Sequence, residues 1–219
     1  MGKLYPELDE RLREFIARQS VFFVATAPCL SSDGDGGHVN LSPKGYRDTF
    51  AVLGPRSVAY LDLTGSGAET IAHLRQNGQI TIMFCSFDHD TKILRLYGTG
   101  EVVLPGDPRW DELAAHFPRT ASPGSPASPS PPASPRPPAS LGRVSGSERS
   151  IIVVQVDRIA DSCGYAVPVM EVKAERDVLD RWAQKKSATE LSAYRADRNA
   201  VSIDGLPALG TAELTPGRQ

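Results

Sequence analysis

The sequence predicts a mainly β protein with peripheral helices, an antiparallel sheet or barrel of the α+β class. Many of its apolar residues fall in short runs rich in β-branched and aromatic side chains, which is typical of strands. These runs follow one another through short turns, which favours antiparallel pairing. Only one predicted helix, residues 68–76, stands between strands as in a parallel βαβ unit. The 219 residues suffice for one core and at most a small appendage.

Hydrophobic periodicity and turn residues place the elements in order. Leu8, Leu12, Phe15 and Ile16 recur at helical spacing and predict an amphipathic helix over residues 7–19. Short apolar runs or strict alternation predict strands at 21–26, 38–44, 50–53, 57–63, 79–85, 92–104 and 151–159. Helical patterns predict further helices at 68–76, 107–117, 172–186 and 189–199.

A proline-rich segment interrupts this order. Nine of the chain's 18 prolines lie between Pro118 and Pro138, interleaved with Ser and Ala. Such a composition cannot bury apolar surface, so residues 118–148 are expected to be a disordered insertion. It is either a tolerated loop or a recognition segment. The chain is then one domain in two parts, 1–117 and 149–209, with a disordered tail at 210–219.

Composition excludes several classes of function. The net charge of -2 and the lack of a Lys/Arg run give no pull toward nucleic acid. Cys29, Cys85 and Cys163 are too few and too far apart for a disulfide framework or a zinc site, so we expect reduced thiols in a cytoplasmic protein without a metal. The apolar run at 21–27 is too short to span a bilayer, so no membrane is expected.

The strongest candidate ligand site is the segment Asp62–Thr70, which leaves a strand and enters a helix. Gly65 and Gly67 let the backbone approach a ligand closely, and the helix start offers free N–H groups. Hydroxyl groups are supplied by Thr64, Ser66 and Thr70. This combination suits a phosphate, or it is an ordinary loop with a Ser/Thr helix cap. It lacks the Lys of a P-loop and the final Gly of a dinucleotide fingerprint.

Two other segments carry polar groups in notable positions. His38, Asn40, Ser42 and Lys44 alternate with apolar residues and share one face of a strand. Lys44 is suited to binding a phosphate, or the stripe is a solvated face. Arg95, flanked by leucines on a central strand, indicates an inward or interface charge, whose anionic partner is a ligand or a carboxylate of this protein.

Together these segments resemble the pyridoxamine 5′-phosphate oxidase-like family, the FMN-binding split-barrel superfamily. The resemblance covers roughly residues 5–117 and 149–209 and rests on Asn40–Gly45, Tyr60–Gly67, Leu94–Gly100, Asp161–Pro168 and Asn199–Leu206. It implies a six-stranded antiparallel split β-barrel that forms a homodimer, with FMN in a groove between the subunits.

The resemblance also implies roles for particular residues. The FMN phosphate would be bound by Lys44 and by the strand-to-helix residues Thr64, Gly65, Ser66, Gly67, Glu69 and Thr70. Asn40 and Ser42 would face the isoalloxazine. Asp62 and Arg95 complete the expected cofactor-binding set, and no catalytic residue is identified. Coenzyme F420 or haem, used by other split-barrel branches, are the alternative cofactors.

The chain departs from the true vitamin B6 oxidases in three places. Those enzymes carry an Arg-rich strand where this chain has 38–44, and Arg and Lys where it has Ala68 and Glu69. Their C-terminal Arg/His substrate signature is also missing. We therefore expect weaker FMN binding and an FMN-dependent oxidoreductase acting on another small molecule.

Two alternatives to an enzyme remain open. They are a flavin-binding or sensing protein without turnover and a split-barrel dimer that has lost its cofactor. The Cys163-Gly164-Tyr165 element either reaches a neighbouring active site or forms a packed turn at a strand end.

Overall fold

A computed structural model describes residues 2–29, 36–117 and 146–210. The predicted insertion therefore lies outside the described residues up to residue 145, as does the predicted tail from residue 211. In the described part of the chain, no helix combines the length and the apolar character needed to cross a bilayer. Cys29, Cys85 and Cys163 are free thiols.

The described residues form eight strands, five α-helices and one short 3-10 helix. The strands are β1 Leu4–Tyr5, β2 Phe22–Thr26, β3 Asn40–Lys44, β4 Phe50–Gly54, β5 Ser57–Leu63, β6 Gln79–Cys85, β7 Lys92–Val103 and β8 Glu148–Cys163. The α-helices are α1 Glu10–Arg18, α2 Glu69–Asn77, α3 Trp110–Ala114, α4 Val178–Gln184 and α5 Ala188–Arg198, and the 3-10 helix covers Arg47–Thr49.

Most predicted elements are present, with two departures. Residues 172–177, predicted as the start of a long helix, are irregular. They are mostly exposed, so a helix there would bury no apolar face, and they instead bond to the 46–47 turn, where Tyr46 Oη donates to the Arg176 carbonyl at 2.7 Å. Strand β1 was missed because two residues are too short to show a period. Cys163 ends β8 and leads into a turn, in which Val167 N donates to the Gly164 carbonyl.

One antiparallel sheet in the order β3-β2-β6-β7-β8-β5-β4 organises the fold, with β1 added beside β8. The resemblance implied six strands, and the sheet has eight. The sheet curls so that its two ends approach one another. The Phe22 ring of β2 lies 5.1 Å from the Phe50 ring of β4, and the Phe84 ring of β6 lies 4.9 Å from the Phe50 ring. The end strands β3 and β4 are not paired with each other, so the barrel is split.

The core fills the inside of this barrel and continues on its outside. Val58 and Tyr60 of β5 point into the main core, which α1 closes with Leu12 and Phe15. The alternate β5 residues, Ala59 and Leu61, pack outward under α3. Strand β5 is therefore buried on both faces, which explains its continuous apolar run. Because side chains alternate, Asp62 follows Val58 and Tyr60 into the barrel interior.

Candidate functional site

The candidate site lies where β3, the end of β5 and the start of α2 meet. Residues Thr64–Thr70, which we call the strand-to-helix segment, connect β5 to the first turn of α2. Lys44 and Asn40 of β3 reach this region across the split of the barrel, to Asp62 and Thr70 respectively. The structure therefore brings the polar stripe and the strand-to-helix segment together.

A buried carboxylate occupies the base of the site. Asp62 has no exposed surface. Lys44 Nζ lies 3.2 Å from its Oδ1, while the buried Arg149 places Nη2 at 2.7 Å and Nε at 2.8 Å from its Oδ2. Ser150 Oγ donates to the same oxygen at 3.2 Å. Burial raises the pKa of Asp62, but Arg149 and Lys44 outweigh this effect and hold the pKa below its ordinary value.

Asn40 and Ser42 of the stripe belong to a hydrogen-bond network rather than to a solvated face. Asn40 Nδ2 donates to Thr70 Oγ1 at 3.0 Å and to Thr26 Oγ1 at 3.1 Å, and Ser42 Oγ donates to Asn40 Oδ1 at 2.8 Å. Thr26 Oγ1 also lies 3.0 Å from Nδ1 of His73, which is fully buried on α2. Burial lowers the pKa of His73 below its ordinary value, so its ring is neutral.

The carbonyl groups of the strand-to-helix segment point toward the C-terminal part of the chain. Arg149 Nη1 donates to the Gly67 carbonyl at 2.7 Å, and Asn199 Nδ2 donates to the Gly65 carbonyl at 2.9 Å. Arg195 Nε donates to Thr64 Oγ1 at 3.0 Å. The segment is thus held on one side by side chains from β8 and α5.

The N–H groups of the same segment have no such partners. The backbone N–H groups of residues 65–68 find no acceptor within the described residues. Helix α2 begins after Ala68, and no side chain caps it. The alternative of an ordinary Ser/Thr cap is therefore wrong, and the helix start combines unpaired backbone donors with the positive end of the helix dipole.

Glu69 is the one acidic group beside these donors. Its carboxylate lies against the Cα atom of Gly67, in space that a Cβ atom at that position would need. Ser66 is exposed at the tip of the segment. Lys44 and Arg149 both pair with Asp62, whereas Glu69 has no cationic partner among the described residues.

Arg95 and His38 lie away from this cluster within the described chain. Arg95 does not join the cluster, since it faces Met83 and Ala160 in the sheet and donates to Ser162 Oγ at 2.8 Å. Its register partner on β8 is ten residues from Ser150, the register partner of Asp62. That spacing corresponds to roughly 33 Å along a strand. His38 precedes β3, is exposed, and pairs with Asp204 at 2.7 Å.

Sequence reasoning missed four residues that build the site, Arg149, Arg195, Asn199 and His73. Arg149 follows the proline-rich insertion in a polar run without periodicity, so no local signal marked it. Arg195 and Asn199 are four residues apart and thus share one face of α5, which the sequence presents as a polar helix. That spacing was the one signal available, but nothing in the sequence identified what this face contacts.

The fold and the site together define a split-barrel protein in which an uncapped helix start lies beside a polar strand. The family model described as pyridoxamine 5′-phosphate oxidase matches residues 8–139. A curated relative is 35% identical over 231 aligned residues, covering 99% of this chain and 82% of the relative. The chain belongs to the pyridoxamine 5′-phosphate oxidase family.

That relative is the pyridoxamine 5′-phosphate oxidase family protein ustO of Aspergillus flavus. Among solved structures, a variant of HupZ from Group A Streptococcus has a TM-score of 0.46 at 17% identity, over 71% of this chain and 99% of that one. An FMN-binding protein of Syntrophomonas wolfei has a TM-score of 0.43 at 14% identity, over 68% of this chain and 82% of that one.

The pairing of Asp62 yields a prediction about stability. Replacing Arg149 by Met removes the main partner of a fully buried carboxylate, so we expect a loss of about 3–5 kcal/mol in the free energy of unfolding, measured with urea. The matched control is Arg158→Met, an exposed Arg on the same strand, expected within about 0.5 kcal/mol of the parent. Adding Asp62→Asn to Arg149→Met should recover part of the loss, and equal instability of the single and double variants would contradict the assignment.

The buried neutral His73 yields a prediction about pH. Its folded pKa lies below 6.5, so the unfolded chain takes up a proton that the folded protein resists, and the stability present above pH 6.5 falls as the pH falls through the folded pKa. We expect His73→Gln to reduce the difference in unfolding free energy between pH 7.5 and pH 5. The exposed His116→Gln control should leave the difference unchanged, and an unaltered pH dependence in His73→Gln would refute the role of this ring.

Proposed function

We propose that this protein binds FMN through the strand-to-helix segment and acts as a flavin-dependent oxidoreductase on a small molecule. The observation that carries the proposal is the uncapped start of α2, with free N–H donors, beside the polar stripe of β3. Free donors at a helix start fit the phosphate group of a mononucleotide. Family membership supports the same cofactor class.

The residues present fit a phosphate in a particular way. Lys44 is already paired with Asp62, and Glu69 places a carboxylate beside the segment. The phosphate would therefore be held mainly by backbone N–H groups and the helix dipole, with the hydroxyls of Ser66 and Thr70 as further donors. Because its cations are committed, such a site should bind FMN less tightly than one with free Arg and Lys side chains.

The stripe fits the ring system of the same cofactor. Asn40 is fixed by three hydrogen bonds, and Ser42 Oγ, which donates to Asn40, keeps acceptor capacity of its own. A half-buried amide and hydroxyl suit the polar edge of an isoalloxazine. The flavin would supply the redox chemistry, and these side chains would orient it.

A homodimer is part of the proposal. The outer face of the sheet carries a half-buried row formed by Phe23, Met83 and Arg95, which are register neighbours on β2, β6 and β7. Arg95 has the Ser162 hydroxyl as its hydrogen-bond partner and no carboxylate among the described residues. An apolar face around a cation without a counter-charge fits a second copy of the chain better than solvent.

A non-catalytic flavin-binding protein is the second candidate function. It is favoured by the state of the titratable groups within the site, since Asp62 is ion-paired and His73 is neutral and buried. Neither is free to exchange a proton with a substrate, so any proton transfer would rely on Glu69, on the substrate, on solvent or on a group from elsewhere.

The cofactor proposal predicts a yellow protein that releases FMN on denaturation. Lys44→Met should weaken FMN binding about two- to fivefold, because Asp62 then has only Arg149 to offset its negative charge near the phosphate, whereas Glu69→Gln should strengthen it about two- to fivefold by removing a repelling carboxylate. Quenching of flavin fluorescence measures both. Lys173→Met, an exposed Lys, is the control expected to match the parent.

A colourless protein that does not bind added FMN would overturn the proposal. Incubation of that colourless protein with coenzyme F420 or with haem then tests the two alternative cofactors by their absorption spectra. For a flavin-loaded protein, anaerobic bleaching by NADH or NADPH and recovery with an acceptor separate the oxidoreductase from the binding protein. The absence of bleaching by any donor would favour the second candidate function.

The dimer proposal predicts a change of mass. We expect sedimentation of the parent at twice the chain mass of 23.6 kDa. Met83→Glu should shift the protein to the monomer, because an isolated carboxylate would be buried in the apolar contact. The control Gln79→Glu, exposed on the same strand, should remain dimeric. A monomeric parent, or a dimeric Met83→Glu variant, would contradict the assignment of this face.

A further inference from the structure

We propose that α5 sets the direction of the phosphate-binding N–H groups, with Arg195 and Asn199 as positioning residues. The inference rests on the proposed function and deepens it. Both side chains lie outside the part of the chain that the family model matches, and neither would contact the flavin ring or the reacting atoms. Their contacts are with the back of the strand-to-helix segment.

The geometry of the peptide bond gives the reason. In a trans peptide the carbonyl and the N–H of the same unit point in opposite directions. The Gly65 carbonyl points to Asn199 Nδ2, so the N–H of Ser66 points away from α5. The Gly67 carbonyl is bonded by Arg149, with Asn199 Nδ2 at 3.5 Å, so the N–H of Ala68 also points away. The C-terminal contacts therefore direct two free donors toward the same side.

Glycine makes these contacts necessary. Gly65 and Gly67 have wide backbone freedom, so their peptide units would reorient easily without an external hold. Asn199 supplies that hold at the C-terminal end of α5, where it is fully buried. Arg195 adds a second hold through Thr64 Oγ1, and its Nη2 is fixed by the Gly146 and Glu148 carbonyls at 2.9 and 3.0 Å.

The Asn199 side chain makes these contacts although its own amide oxygen is left without a hydrogen bond among the described residues. This oxygen, Oδ1, is buried, which is unfavourable for a polar atom without a partner. Turning the amide over would set Oδ1 against two carbonyl oxygens, so the orientation is fixed by the need to donate to Gly65. The role of Asn199 in fixing the direction of the Gly65 peptide unit explains why a buried amide stands at this position.

Helix α5 is itself held firmly. Ser187 and Glu190 form a reciprocal capping box at its N-terminus, and Leu191 is buried beside Gly146. At the other end, the Asn199 carbonyl accepts from Leu209 N at 3.0 Å, and the Leu209 side chain packs with Ala68 and Ile71 of α2. The helix is thus anchored to the element whose N-terminus it orients.

The test compares FMN with riboflavin, which lacks the phosphate. In the parent, FMN should bind more tightly than riboflavin. In Asn199→Ala, we expect the ratio of the two affinities to fall about tenfold while riboflavin binding is unchanged, and the ³¹P resonance of bound FMN should move toward that of the free cofactor. Arg198→Ala, an exposed Arg of the same helix that pairs with Asp197, is the control with an unchanged ratio.

The possible outcomes distinguish the positioning role of α5 from the proposed binding of FMN. A parent that binds FMN no better than riboflavin, or not at all, overturns the phosphate site and the positioning role together. A parent that prefers FMN and an Asn199→Ala variant with the same preference overturn only the positioning role, as does a lower melting temperature with an unchanged ratio. If Asn199→Ala does not fold, Arg195→Lys is the second variant to measure. It keeps the positive charge but cannot make all the guanidinium hydrogen bonds to Thr64, Gly146 and Glu148. An unchanged affinity ratio in that variant also counts against the proposal.

Discussion

The structure depends on one buried charge, the carboxylate of Asp62. A carboxylate without solvent contact is tolerated only when it is paired and hydrogen-bonded. Its partners come from different parts of the chain, Lys44 on β3 and Arg149 on β8, while Asp62 itself lies on β5. Arg149 also bonds the Gly67 carbonyl. A single interaction therefore links both sides of the split in the barrel to the strand-to-helix segment, and the shape of the site follows from it.

This arrangement has a consequence for the proposed phosphate site. Lys44 and Arg149 are held by Asp62 rather than directed at a ligand, so the close contacts with a phosphate would come from oriented backbone dipoles. Dipoles act over short distances and only when aligned, unlike a mobile Lys ammonium group. The direction of each peptide unit then matters as much as the presence of the donors. For this reason the contacts of Arg149, Arg195 and Asn199 with the back of the segment bear on function although none of them faces the ligand side.

Much of the fold could be predicted from the sequence because its signals are local. The bounds of β5 and β6 follow from their apolar runs, and the role of β3 as one wall of the site follows from strict alternation. What could not be predicted depends on contacts distant in sequence. Arg149 bonds a carboxylate 87 residues away, and Asn199 bonds a carbonyl 134 residues away. Residues 172–177 have helical composition, yet tertiary hydrogen bonds to the 46–47 turn decide their conformation.

Arg95 shows that a local rule can identify an unusual charge without identifying its partner. The rule says that a half-buried Arg among apolar residues needs a counter-charge, and it led to an assignment within the cofactor cluster. In the folded chain Arg95 lies on the outer face of the sheet with a neutral hydroxyl as its partner. Among the described residues no carboxylate satisfies the rule, and in the proposed dimer the counter-charge would be a carboxylate of a second copy or a ligand held between two copies. The charge of Arg95 and the apolar row around it are therefore two aspects of one constraint, and the proposed dimer would relieve both.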